Sequence, residues 1–134
     1  WKIPIGLSLG MVALLIGIHG WYRLSVGTSP GFGDWLATQG IPLAHTVAWG
    51  VTIGEIVGSA CLAVGLCVRP IALLFMAIYA MGIVLVHAPE GWFVVGGGRN
   101  GMEYSVLLIG SLALVALRIR APVWAVIPPK AGIQ

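Results

Sequence analysis

The sequence predicts an all-α protein, a four-helix transmembrane bundle, and three observations carry that prediction. Of 134 residues, 59% are hydrophobic and 8% charged, where a soluble globular domain has about a quarter charged; the mean hydropathy is +1.02. Four apolar stretches, about 3–22, 43–66, 70–87 and 102–117, are of the order of length that crosses a hydrocarbon core. Basic residues also gather on one side of these stretches. The expected organisation is one domain over 1–134, with an interfacial tail over 118–134.

The first stretch has the look of a signal peptide, but the HGWYRL that follows it is aromatic and basic and offers no small-residue cleavage site. It is read as a retained helix. The chain opens on Trp1 rather than Met, so residues are expected upstream. Next comes SVGTSPGFGDWLATQGIP, rich in Gly and Pro, in which Phe32, Trp35, Leu36 and Gln39 recur at helical spacing. This reads as a short amphipathic turn lying in the interface as a lid.

The second helix contains VTIGEIVGSACLAVGL, with Glu55 alone in an apolar run. An ionised side chain at the centre of a span costs about 2.5–3.5 kcal/mol on insertion scales, so Glu55 must face inward. Thr52, Gly58 and Ser59 share its face and would let another helix approach closely. Cys61 and Cys67 lie on diverging faces and cannot close a disulfide. The third helix leads into APEGWFVVGGGRNG, which brings Trp92 and Phe93 to the outer boundary, as Trp1 and Trp124 mark the inner one. Gly96, Gly98 and Gly101 satisfy G-x-G-x-x-G, but no strand precedes them, so the dinucleotide-binding context is missing. The fourth helix opens on Glu103, where a carboxylate also suits the positive end of the helix dipole. The tail RIRAPVWAVIPPK is basic, apolar and broken by proline, and is expected to lie on the membrane.

Helices one and three each close on a histidine, His19 and His87, and helices two and four each carry one glutamate, Glu55 and Glu103. The echo suggests two hairpins forming a parallel repeat, with these four side chains around the bundle centre. With four crossings, Lys2, Arg69, Arg118, Arg120 and Lys130 fall on one side with no acid, against Arg23 and Arg99 with Asp34 and Glu90 on the other. Both termini are therefore expected in the cytoplasm of a bacterial or archaeal cell, with the protein in the inner membrane. The net charge of +3 suits anionic lipid headgroups and calls for no nucleic acid.

Four readings of the His/Glu set stand side by side. A quinone needs an apolar slot and protonatable groups for its ring oxygens. Haem could use two histidines as axial ligands, although such a slot leaves little else in the core of so small a bundle. His and Glu also suit zinc or iron, and a polar core can be purely structural.

The segments HGWYRL, WLATQGIP, GEIVGSACLAVGLCVRPIALL, HAPEGWF and NGMEYSVLL, in that order, resemble the DoxX family of small four-helix membrane proteins. The residues that match its pattern are His19, Gly20, Arg23, Glu55, Gly58, Gly65, Leu66, Arg69, His87, Gly101 and Glu103. Ser59 departs from it, standing where members often have a second glycine. The resemblance implies a subunit of a quinol oxidase or a thiosulfate:quinone oxidoreductase. No cysteine lies on the outer face, which weighs against thiosulfate chemistry in this chain alone. The expectation is a small subunit of an inner-membrane redox assembly, docked on a larger complex and bathed in membrane lipid, with no intrinsic cofactor and no metal. A quinone or other lipid-soluble ligand would lie between His19, Glu55, His87 and Glu103, with Arg23 and the lid at the mouth. The alternative is a non-catalytic accessory subunit. Whether the chain is itself an enzyme stays open, since it has no soluble domain, cofactor motif or reactive thiol.

Overall fold

A computed structural model describes residues 5–96 and 99–118. Residues 1–4, Gly97, Gly98 and the expected interfacial tail from 119 onward lie outside that range. Among the described residues the protein is all helical: α1 Ile5–Val26, α2 Ser29–Thr38, α3 Ala44–Ala63, α4 Val68–Gly82 continued by a π-helical turn Ile83–His87, and α5 Glu103–Arg118. Three helical stretches, Gly6–Val26, Ala44–Ala63 and Val68–His87, are long and apolar enough to cross a membrane, and α5 is shorter.

Where the helix ends differ from the expected ones, the cause is local. α1 passes Tyr22 because no breaker precedes Gly27, whose φ of 72° ends the helix as Thr28 N–H bonds back to Arg23 O. The last turn of α1 therefore carries Arg23. α3 stops at Ala63 on Gly65, at φ 76°. There Leu66 N–H reaches Cys61 O at 2.8 Å and Gly65 N–H reaches Leu62 O at 3.0 Å, the paired bonds of a Schellman cap. The lid is a ten-residue helix, α2, with Ser29, Gly33 and Leu36 buried. It is pinned to the start of α3 by His45 Nε2, 2.9 Å from Asp34 Oδ1.

α1 packs antiparallel along α3, and α5 along α4, while contact between the two pairs is lighter. The small-residue face of α3 meets α1 where Gly17 lies against Ser59 and Gly20 against Thr52 and Glu55; Gly58 faces Phe75 of α4 instead. The core gathers at the end carrying the α3–α4 link, built from Ile16, Leu62, Phe75 and Leu112 with their neighbours. A smaller cluster of Leu36, Ala44 and Ala48 holds the lid. On α1, Leu7, Met11, Leu14 and Ile18 are exposed in one stripe, the face such a helix offers to lipid.

Candidate functional site: a cavity at the lid end

At the lid end the two helix pairs separate around a cavity of about 570 Å³. Its walls are mostly apolar and aromatic, including Phe32, Trp35 and Leu36 of the lid, Val47 and Val51 of α3, and Ile78 and Leu85 on the α4 side. Polar groups enter at few points: His19, Arg23, Glu55, Tyr79, His87, Asn100, Tyr104 and Ser105. Volume and lining are those of a small-molecule site, apolar with a few convergent polar groups.

Arg23 organises one wall. Its Nη2 is paired with Glu55 Oε2, the glutamate being only 3% exposed and the arginine 19%. Its Nε donates to Thr52 Oγ1 at 3.2 Å, and its guanidinium stands 5.2 Å from the Phe32 ring centroid, within cation–π range. Phe32 in turn stacks on Trp35 at 6.2 Å. The Thr52 hydroxyl gives its one proton to Ala48 O at 2.8 Å, so in its 3.2 Å contact with Ser29 Oγ the serine is the donor. One cation thus joins α1, α2 and α3, and places the lid relative to the buried carboxylate.

Of the five residues expected at the site, the structure brings four to the cavity wall: His19, Arg23, Glu55 and His87. Glu103 is not among the lining residues. It begins α5, and its Oε1 accepts Val94 N–H at 3.1 Å, beside the bonds Met102 N–H to Gly91 O and Glu103 N–H to Trp92 O that fold the loop back on itself. The repeat matched His and Glu by helix order rather than by depth. Glu55 lies more than halfway along α3, whereas Glu103 is the first residue of α5. His19 is exposed apart from its contact with the cavity. His87 Nδ1 is 2.7 Å from Asn100 O.

Tyr79 and Tyr104 went unrecognised in the sequence. The Tyr79 hydroxyl is buried with no partner at full hydrogen-bond geometry, and the Glu55 carboxylate is near enough to accept a longer bond from it. A signal did exist, because Tyr79 is the one polar side chain between Pro70 and His87. Among the described residues no group of three or more His, Cys, Asp or Glu side chains is placed to hold a metal ion.

Searches of curated proteins and of solved structures found no match. The DoxX family model matches residues 9–88, a span that holds α1 from Leu9 onward, the lid, α3, α4 and every expected site residue except Glu103; the chain is a multi-pass membrane protein that belongs to the DoxX family.

Proposed function

We propose that the protein binds a quinone or a related lipid-soluble ring compound in the lid-end cavity, as a small subunit of an inner-membrane redox assembly. The observation that carries this reading is the cavity itself, an apolar slot of about 570 Å³ with a few polar groups at its wall. The buried Tyr79 hydroxyl supports it, because it has no close hydrogen-bond partner and the oxygen of a ring compound could complete its hydrogen bonding. The light contact between the α1/α3 and α4/α5 pairs gives such a compound a route in from the bilayer.

Protein purified in mild detergent should carry a ring compound detectable by absorbance and mass. Trp35 lines the cavity, so titration with a short-chain quinone should quench its fluorescence. Gly82 also lines the cavity and has open space beside it. Gly82→Phe should fill the slot and weaken binding by about tenfold or more while leaving thermal stability unchanged. No copurifying compound and no quenching would overturn the reading in favour of a non-catalytic accessory subunit.

In this proposal α5 is the fourth crossing, both termini are cytoplasmic, and the cavity opens on the outer side. In a background lacking Cys61 and Cys67, Gly31→Cys, at an exposed and open position of the lid, should react with an impermeant maleimide on intact cells. Gln134→Cys should not. The reverse pattern would invert the topology.

A further inference from the structure

Resting on that reading, the cavity also carries a preference between forms of its ligand. We propose that His87 is a hydrogen-bond acceptor for a hydroxyl on the ligand ring, so that the site selects a hydroxylated ring, a hydroquinone or other phenol, over one bearing carbonyls alone.

The proposal begins with the tautomer. His87 Nδ1 lies 2.7 Å from the backbone oxygen of Asn100. A carbonyl oxygen only accepts, so the proton is on Nδ1, and in the neutral ring Nε2 is left as a bare acceptor. Two local features fix this arrangement. The turn Ile83–His87 is π-helical, closed by Ala88 N–H to Ile83 O at 2.8 Å, a geometry found often at functional sites. Opposite it, Asn100 sits at φ 58°, the left-handed region that asparagine enters more readily than most residues. Both His87 and Asn100 line the cavity.

The other polar groups do not cancel the preference. Arg23 is engaged with Glu55 and Thr52, and the hydroxyls of Tyr79, Tyr104 and Ser105, the Asn100 amide and a neutral His19 ring each both donate and accept, so they take a ring carbonyl or a ring hydroxyl alike. At His87 the two differ. A ring hydroxyl donates to Nε2, whereas a ring carbonyl or ether would set lone pair against lone pair. A site built to hydrogen-bond a hydroxyl discriminates against the analogue lacking it because its own polar group is then left unpaired.

The test uses the full chain in lipid nanodiscs, in mildly alkaline buffer without oxygen, with three probes of equal tail: a decyl-substituted hydroquinone, its dimethyl ether and the matching benzoquinone. The hydroquinone should bind about tenfold tighter than the ether or the quinone. His87→Phe should abolish that preference, bringing hydroquinone and ether within about twofold of each other, and a thermal melt of the variant reports that it is folded. Independently of any variant, nitrogen NMR of labelled histidine should show an unprotonated His87 Nε2 whose signal moves on adding hydroquinone and not on adding ether. Equal affinity for hydroquinone and ether, an equal loss for all probes in His87→Phe, or a protonated Nε2 would overturn the assignment while leaving the cavity as a binding site. Failure of all three probes to bind would remove the cavity reading and this assignment together.

Discussion

Arg23→Ala is expected to destabilise the protein by about 3–5 kcal/mol, the cost of breaking a buried ion pair from one side. Glu55 is 3% exposed and Arg23 is its ion-pair partner, so removing the arginine strands a carboxylate between α1 and α3. The same deletion leaves Thr52 without its Nε donor and Phe32 without the cation above it, so the lid should loosen as well. Asymmetry identifies the mechanism. Glu55→Gln keeps a hydrogen-bond acceptor for the guanidinium and should cost about 1–3 kcal/mol, less than Arg23→Ala. Replacing both residues by leucine should recover most of the loss, because a buried pair exchanged for apolar side chains is often neutral. Thermal or detergent-induced unfolding of the wild type and the three variants measures these differences, and proteolysis within 28–40 reports the lid. A loss under about 1 kcal/mol for Arg23→Ala would mean that the pair is solvated and not the tie between helices drawn here.

That pair also shows how far the sequence could be read. Glu55 was legible because a carboxylate in an apolar span has to face protein, whatever the partner. Its partner was not, since Arg23 stands 32 positions away, and HGWYRL carries the aromatic and basic residues of a membrane boundary, so it reads as an end to α1 although the helix continues to Val26. The His/Glu echo suggests hairpins of helices one with two and three with four, and the structure pairs α1 with α3 and α4 with α5, whereas the shortest link, from Ala63 to Val68, joins helices that touch only lightly. The depth of Glu103 was legible, since the sequence places it at the opening of the fourth helix, but the His/Glu echo matches residues by helix order and grouped it with Glu55 although it ties down a loop. The π turn at Ile83–His87 has no glycine or proline inside it to mark it, yet it sets the place of His87.

Gly20→Ala is the second large effect expected, and it tests the contact that holds Arg23 and Glu55 together. A Cβ on Gly20 would stand 2.7 Å from Thr52 O, 2.9 Å from Glu55 Cβ and 3.0 Å from Ile56 Cγ1. The nearest of these is backbone, which cannot rotate away as a side-chain tip can, so α1 and α3 must part. Overpacking of this kind costs about 1–3 kcal/mol, even though alanine is the better helix former by about 1 kcal/mol. Two other glycines of α1 separate packing from propensity. At Gly17 the nearest atom to an added Cβ is Ser59 Cβ at 3.3 Å, and at Gly10 nothing lies within 4 Å. Gly17→Ala should therefore be near neutral, and Gly10→Ala neutral or slightly stabilising. Arg23 follows Gly20 by one turn of α1, so parting the helices there also lengthens the ion pair, and Gly20→Ala should weaken ligand binding where Gly10→Ala does not. The same unfolding measurement orders the three variants. Equal stability for Gly20→Ala and Gly10→Ala would show that α1 and α3 do not approach at Gly20, and the placement of Arg23 against Glu55 would fall with that approach.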